Sequence, residues 1–158
     1  KAGVHKNSYF SDTKMGGGVI FELVHEINLI NLLFGKIKKI STIKSNSKDF
    51  NCEDVAISIV ETENNIIGSL YQDMFSKTFF RSIRIVTNKK FFEIDLVKNL
   101  IIENNRIKNF KNINKQTDLL RKNILLFKRR IAKKDHSLDD YDIALFDLDT
   151  CIKMHNAK

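Results

Sequence analysis

Apolar residues recur with helical spacing near the beginning of the chain and again near its end. The segment 19–34 is apolar at most positions and lies between the glycine run 16–18 and Gly35, which predicts a buried helix that ends at that glycine. Two later helices are predicted where apolar residues follow the spacing i, i+4, i+7 and i+11. These residues are Leu120, Ile124, Phe127 and Ile131 in the first helix, and Tyr141, Leu145, Leu148 and Ile152 in the second. Ser137, followed by two aspartates, predicts the start of the second of these helices.

Short segments of alternating apolar and polar residues lie between the first helix and the last two. They predict strands over residues 36–44, 54–61, 66–74, 80–87, 91–96, 98–103 and 106–110. Turns are predicted at the asparagine pairs 64–65 and 104–105, because Asn tolerates a positive φ. The order predicts an α+β fold, with a largely antiparallel open sheet of about six to seven strands and helices packed on one face. The uncovered face, if apolar, needs a partner, so we expect self-association or docking there.

The composition is compatible with one domain over residues 1–158, since 42% of the residues are hydrophobic. No apolar run reaches the roughly 18 residues that a membrane span needs, so we expect no membrane partner. The first residues contain no apolar signal region. Cys52 and Cys151 lie far apart, which favours reduced thiols over a disulfide framework and a cytoplasmic location.

Three ionisable residues interrupt the first predicted helix. Glu22, His25 and Glu26 are spaced i, i+3 and i+4, so they share one face of a continuous helix. Ionisable groups on an apolar helix indicate a function, because burying them is costly. Acid–base chemistry fits a histidine beside carboxylates, whereas a metal site needs further ligands that the sequence does not supply. Without further evidence, a histidine on an apolar helix, such as His25, is more often an ordinary core residue than a catalytic one.

The same segment resembles the C-terminal domain of the Gfo/Idh/MocA oxidoreductases, the family of glucose–fructose oxidoreductase and inositol dehydrogenase. The resemblance rests on the glycine run 16–18, on the residues Glu22-Leu23-Val24-His25-Glu26-Ile27-Asn28, and on the closing Phe34-Gly35. Weaker matches follow at 53–56, 81–86, 91–95 and 137–155, so the resemblance covers about residues 9–157.

The resemblance implies a two-domain enzyme of which this chain is the C-terminal substrate-binding and dimerisation domain. The family's N-terminal Rossmann domain binds NAD or NADP, and its sequence motif Gly-x-Gly-x-x-Gly does not occur here. The family's catalytic lysine lies in a loop that contains proline, and this chain has no proline. We therefore expect no cofactor on this chain and no hydride transfer by the chain alone.

The resemblance also implies roles for individual residues. His25 matches the family's catalytic or substrate-positioning histidine, and Glu22 replaces the aspartate that usually works with it. For substrate binding we assign Tyr9, Glu26, Asp73 and Arg81. Two departures are visible, because Phe21 stands where many members carry the acid and Asn28 stands where an aspartate is usual.

A sugar or a nucleotide sugar is the substrate class that the resemblance implies. The net charge of +8 and the spacing of three residues from Glu22 to His25 favour an anionic sugar. The resemblance further implies a homo-oligomer formed through the open face of the sheet. Two alternatives stay open. One is a nucleic-acid-binding module, which the charge permits but no recognition motif supports. The other is a non-catalytic interaction domain, which the replacements at Glu22 and Asn28 motivate.

Overall fold

The chain was analysed as a computed structural model, which describes residues 8–46, 50–109, 116–133 and 139–157. The chain forms two compact units, one made of Lys1–Phe75 with Ser137–Lys158 and the other of Ser76–His136. The predicted cap at Ser137 and the predicted strand end at Phe110 lie outside the described residues.

The first unit combines a three-stranded sheet with three helical segments. Its elements are α1 (Val19–Glu22), α2 (Val24–Phe34), β1 (Ile37–Ser45), β2 (Val55–Thr62), β3 (Ile67–Asp73) and α4 (Asp139–Asn156), with short 3₁₀ turns at Tyr9–Ser11 and Thr13–Met15. The strands are antiparallel in the order β1-β2-β3. The predicted edge position of the first strand is therefore confirmed.

The second unit contains the other four strands and one helix. Its elements are β4 (Ser82–Val86), β5 (Phe91–Asp95), β6 (Leu100–Glu103), β7 (Arg106–Asn109) and α3 (Gln116–Ala132). The four strands form an antiparallel meander in chain order. The α+β class and the seven antiparallel strands are confirmed. The strands form two hydrogen-bonded ladders of three and four strands rather than one.

Asparagines close two of the hairpins, as the sequence predicts. Asn65 has a φ of 58°, and Asn104 and Asn105 have φ values of 47° and 66°. An amide side chain tolerates this left-handed conformation at a lower cost than most side chains do.

Alternation along β2 separates the core from the open face of the first sheet. Ala56, Ser58 and Val60 are buried under the helices, whereas Ile57 and Ile59 are exposed on the other face. The core is completed by residues of the helical segments, namely Val19, Ile20, Ile27, Cys151 and Met154. The buried hydroxyl groups of Thr42 and Ser58 on the inner face hydrogen-bond each other at 2.8 Å, so these two polar residues satisfy each other.

The last two predicted helices are confirmed as α3 and α4, and the apolar stripes that predicted them are exposed in the structure. The stripe of α4 remains 43–59% exposed and that of α3 remains 57–65% exposed. The buried side of α4 carries Asp147, Thr150, Cys151 and Met154 instead. The spacing of apolar residues thus identifies this helix but not its buried side, where the amides of Asn28 and Asn31 on α2 satisfy Asp147.

The first predicted helix is also less buried than its composition suggests. Val19, Ile20 and Ile27 are fully buried, but Leu32 is 74% exposed and Leu33 is exposed beside it.

No single described helix has the length and composition of a membrane span. A bent pair, 13–22 with 24–34, meets these two criteria only when both parts are counted together.

Candidate functional site

The glycine run 16–18 lets the helical segment start in close contact with two other parts of the first unit. A Cβ atom on Gly17 would lie 2.4 Å from the carbonyl carbon of Phe10. A Cβ atom on Gly18 would lie 2.3 Å from Glu53 Oε1, and the φ of Gly18 is 120°. Both positions therefore need glycine, for space in both cases and for backbone conformation at Gly18. The Val19 amide then donates to the Glu53 carbonyl oxygen at 2.9 Å, which joins the start of α1 to the sheet.

A break at Leu23 divides the predicted helix into α1 and α2. Leu23 has φ −106° and ψ 30°, and the segments 13–22 and 24–34 on its two sides are bent by 41° relative to each other. Gln72, which is 2% exposed on β3, donates a hydrogen bond of 3.2 Å to the Leu23 carbonyl oxygen. The prediction of one continuous helix was wrong here, because this buried amide stabilises the break. Glu22 therefore ends α1, whereas His25 and Glu26 lie in α2.

His25 and Glu26 form an acid–base pair on α2, in which His25 is exposed and Glu26 is partly buried. His25 Nε2 lies 3.1 Å from Glu26 Oε1, and the two side chains are 49% and 17% exposed. The Glu26 carboxylate can accept a hydrogen bond from the Nε2–H group of His25 and so orient the ring. The other ring nitrogen, Nδ1, lies outside this contact. Glu22 is partly buried, and no hydrogen bond or ion pair in the described part of the chain joins it to His25. The predicted trio is thus reduced to a pair.

The predicted substrate-binding residues Tyr9 and Asp73 lie on different elements of the first unit. Tyr9 is 57% exposed in the first 3₁₀ turn, and its ring packs edge-on against Phe10. Asp73 ends β3, where its Oδ1 accepts a hydrogen bond of 2.9 Å from the Phe75 amide. Asp73 follows Gln72 in an extended strand, so its side chain points to the opposite face of the sheet from the one that contacts Leu23.

Tyr71 shares the open face of the first sheet with Asp73. Partial desolvation, together with the Asp73 carboxylate, raises the pKa of Tyr71. The structure therefore places Asp73 beside the exposed aromatic ring of Tyr71 on the open face, and does not bring it to His25.

Arg81, the arginine predicted to bind substrate, belongs to the second unit. Arg81 precedes β4, is partly buried, and its carbonyl oxygen accepts from the Leu96 amide at 2.9 Å. The neighbouring Arg84 pairs with Glu93 at 2.7 Å across the ladder and lies over the ring of Phe91. Arg84 is thus a cross-strand contact of the sheet.

A buried carboxylate that the sequence did not reveal joins α2 to α4. Asp147 Oδ2 accepts from the Asn28 amide at 2.7 Å, and its Oδ1 accepts from the Asn31 amide at 2.6 Å. Asn31 in turn accepts from the Ile37 amide at 2.9 Å. The asparagine at position 28 is therefore matched by Asp147, and an aspartate there would face another carboxylate. The sequence indicates this contact only when two distant segments are considered together. These are the two asparagines spaced i and i+3 on α2 and the one acid on α4.

A second buried carboxylate holds the end of α4. Glu53 is 5% exposed, and its Oε2 lies 3.1 Å from His155 Nδ1. The His155 ring packs against the ring of Phe21, and its carbonyl oxygen accepts a hydrogen bond from the Lys44 ammonium group. Glu53 Oε1 has no hydrogen-bond partner within the described residues. These contacts anchor α4 to the start of α1 and to β1.

A groove of about 710 Å³ lies at the first sheet and α4, and none of the predicted site residues lines it. Its lining includes Lys38, Lys39, Lys153 and Ile59. Lys38 and Lys39 share Glu61 as a partner, and Lys153 pairs with Asp149, so two carboxylates offset most of the charge of these three lysines. Among the described residues, no group of three His, Cys, Asp or Glu side chains is placed to hold a metal ion.

The GFO/IDH/MocA C-terminal domain profile matches residues 2–93, which is more than half of the chain. The chain belongs to this family. The resemblance inferred from the glycine run and the helix motif is thereby confirmed. No curated protein sequence matches the chain significantly.

Solved structures share the fold of this GFO/IDH/MocA C-terminal domain. UDP-N-acetylglucosamine 3-dehydrogenase GnnA from Acidithiobacillus ferrooxidans is 18% identical, with a TM-score of 0.74 over 88% of this chain and 46% of that one. An oxidoreductase from Thermotoga maritima is 19% identical, with a TM-score of 0.77 over 98% of this chain and 47% of that one. The WlbA dehydrogenase from Bordetella pertussis, solved with NADH and UDP-GlcNAcA, is 16% identical, with a TM-score of 0.55 over 84% and 39%. The chain thus spans less than half the length of these three structures.

Proposed function

We propose that this chain is the C-terminal substrate-binding and oligomerisation domain of an NAD(P)-dependent oxidoreductase that acts on a sugar or nucleotide sugar. The observation that carries the proposal is the contact of the exposed His25 with the partly buried Glu26 on α2, in a chain of the GFO/IDH/MocA C-terminal domain family. Two of the solved structures with this fold are named as enzymes or complexes of UDP-sugars, which supports this substrate class.

In this proposal His25 moves the proton while a nicotinamide on a separate Rossmann domain takes the hydride. The cofactor supplies the redox chemistry, and the chain supplies an imidazole that can take or give the proton. Glu26 is a positioning residue, because its Oε1 contacts His25 Nε2 and fixes the ring. Glu22 ends α1 on the other side of the break at Leu23 and is not joined to this pair.

The local geometry removes one argument for a non-catalytic domain. The asparagine at position 28 departs from the family pattern, but Asp147 occupies the space beside it and bonds its amide. The departure is therefore explained by the contact between α2 and α4, and it does not bear on proton transfer by His25.

The proposed oligomer interface is the open face of the first sheet. Ile43, Ile57 and Tyr71 form one cross-strand row on this face, and Ile59 lies in the next row. All four are large and exposed. A contiguous apolar surface of this kind is typical of a protein–protein interface. The two cysteines are buried and free, which fits the proposed cytoplasmic location.

The catalytic proposal is tested in the complete natural protein, with NAD+ and NADP+ and a panel of UDP-sugars, by following the nicotinamide absorbance. We expect His25→Asn to lower kcat by about 10²–10⁴-fold while the affinity for the cofactor is kept. Leu32→Asn, on an exposed part of the same helix, is the matched control and should keep kcat. Full turnover by His25→Asn would exclude the proton-transfer role, and a wild-type protein that binds no nicotinamide would favour the interaction-domain alternative.

The interface is tested separately, by light scattering after gel filtration. We expect Ile59→Lys to lower the oligomer mass, because it places a charge in the middle of the apolar face. Leu32→Lys changes an equally exposed apolar residue on α2 and should leave the mass unchanged. An unchanged mass in Ile59→Lys would show that the open face is not the interface.

A further inference from the structure

Gln72 is a buried polar residue in an otherwise apolar row on the core side of β3. Its side chain is 2% exposed, whereas Leu70 and Met74, two positions away on either side, pack against the hydrophobic core. Its Nε2 group donates to the Leu23 carbonyl oxygen at 3.2 Å, but its Oε1 has no hydrogen-bond partner among the described residues. A buried acceptor without a partner costs free energy, so it offsets part of what the one hydrogen bond contributes. Stability alone is therefore a weak reason for a glutamine at this position.

The carbonyl group that Gln72 binds also closes the first turn of α2. Leu23 is the N-cap residue of α2, and its carbonyl oxygen accepts a second hydrogen bond from the backbone amide of Glu26 at 3.0 Å. The segment 19–34 contains neither proline nor an internal glycine that would by itself produce the break before this turn. The position of the first turn relative to the sheet is thus set by the contact between Gln72 and Leu23.

The same first turn carries the proposed proton-transfer pair. His25 and Glu26 are the second and third residues of α2, and His25 Nε2 lies 3.1 Å from Glu26 Oε1. Glu26 is therefore held at two points, by its backbone amide on the Leu23 oxygen and by its carboxylate beside the imidazole. The contacts form one continuous path from β3 to the ring, which runs from Gln72 through the Leu23 carbonyl group and Glu26 to His25.

We propose that Gln72 is a positioning residue for His25. It holds the Leu23 carbonyl group against β3 and thereby sets the direction in which the first turn of α2 presents the His25 ring. The inference rests on the proposed function, since it gives Gln72 a part in proton transfer by His25. Catalysis depends steeply on geometry, because a misplacement of about 1 Å can lower a rate roughly 100-fold. A hydrogen bond that contributes little to stability is therefore able to control turnover.

The test uses Gln72→Met in the complete natural protein, with turnover of UDP-sugars followed by the nicotinamide absorbance. Methionine keeps the length and packing of the side chain but has no donor for the Leu23 carbonyl oxygen. We expect kcat to fall about 10- to 100-fold while the KM for the cofactor is kept. Gln72→Asn, whose amide ends one methylene short of Leu23, should show the same loss and is the second variant if Gln72→Met does not fold. Circular dichroism checks the fold of each variant.

A double-mutant cycle distinguishes positioning of His25 from a general loss of structure. The remaining turnover of His25→Asn does not use the imidazole, so we expect Gln72→Met to lower it little further. A purely structural role would lower kcat by the same factor in both backgrounds. The matched control is Thr42→Val, which removes a buried hydrogen bond of the same sheet that does not involve Leu23 and should keep kcat.

The order of the His25 ring is a second measurement, and it does not depend on turnover. We expect the NMR order parameter of the His25 side chain to fall in Gln72→Met and to stay at the wild-type value in Thr42→Val. Wild-type kcat in folded Gln72→Met, or an equal loss of kcat in the His25→Asn background, overturns the proposal. If the wild type turns over none of the UDP-sugars, the proposed function fails separately. The ring measurement then decides whether Gln72 positions His25, and an unchanged order parameter in Gln72→Met overturns that contact too.

Discussion

The side-chain amide of Asn28 donates a hydrogen bond of 2.7 Å to Asp147 Oδ2 and so joins α2 to α4 across 119 positions of sequence. Asp147 is 3% exposed, and its other oxygen is bonded to Asn31. A buried carboxylate is stable when its oxygens are satisfied, and here two amides satisfy it. The residue at position 28 is therefore determined by a residue near the other end of the chain.

We expect Asn28→Asp to lower the free energy of unfolding by roughly 2–4 kcal/mol at neutral pH, because it places two carboxylates at hydrogen-bond distance in a buried site. Urea unfolding followed by circular dichroism measures the change. The exchanged variant Asn28→Asp with Asp147→Asn re-creates an amide–carboxylate pair and should recover most of the loss. Asn105→Asp, in an exposed turn, should change the stability by less than about 0.5 kcal/mol. No recovery in the exchanged variant would contradict the pairing.

The break at Leu23 depends on Gln72 in a similar way. We expect Gln72→Leu to destabilise the first unit by about 0.5–1.5 kcal/mol, because it removes one of the two donors to the Leu23 carbonyl oxygen and leaves only the Glu26 amide. Hydrogen exchange of the amides around Leu23 should accelerate in the same variant. Ser69→Ala, on the exposed face of the same strand, is the control. Unchanged stability and unchanged exchange in Gln72→Leu would mean that the break is set by the local sequence alone.

Local pattern was sufficient to predict the strands and their turns. Alternation identified all seven strands within a few residues, and the asparagines at 65, 104 and 105 have the positive φ that the turns predicted. Each of these features is determined by neighbouring residues.

Features that depend on distant residues were not predicted. The helix break needs Gln72, which lies 49 positions after Leu23, and the buried side of α4 needs Asn28 and Asn31. The stretch from Val19 to Phe34 contains no local signal for a break, because it has neither proline nor an internal glycine. For the candidate site, the sequence predicted His25 and Glu26 together, whereas the separation of Glu22 follows from the break.

Glu103 provides a pH-dependent test in the second unit. Its carboxylate binds Lys108 and Lys90, and these two ammonium groups lower the pKa of Glu103 from 4.5 to about 2. A depressed folded-state pKa contributes stability above the unfolded value that is lost as the pH falls. We therefore expect the stability difference between wild type and Glu103→Gln to be constant above about pH 5 and to vanish between pH 4.5 and 2. Titration of the Glu103 carboxyl by NMR with an ordinary midpoint would contradict the assignment.

Cys52 and Cys151 should be unreactive while the chain is folded. Cys52 donates to the Phe10 carbonyl oxygen and Cys151 to that of Ile20. Burial, together with neighbouring carboxylates, raises the pKa of each thiol from 9.0 to about 11. Since the thiolate is the reactive form, only about one thiol in 10⁴ is reactive at pH 7. We expect a disulfide reagent to modify both cysteines at least ~100-fold more slowly in the native chain than in urea.

The raised pKa of these two thiols also predicts how their contribution to stability changes with pH. A pKa raised in the folded state favours the protonated thiol there, so its contribution to stability is complete below pH 9 and is lost as the pH rises towards 11. Cys52→Ala and Cys151→Ala, each compared with the wild type, should therefore show a difference that shrinks over this interval. The two variants also assign the slow modification to one thiol at a time. A native cysteine that reacts as fast as in urea would show that its thiol is not held in the buried contact.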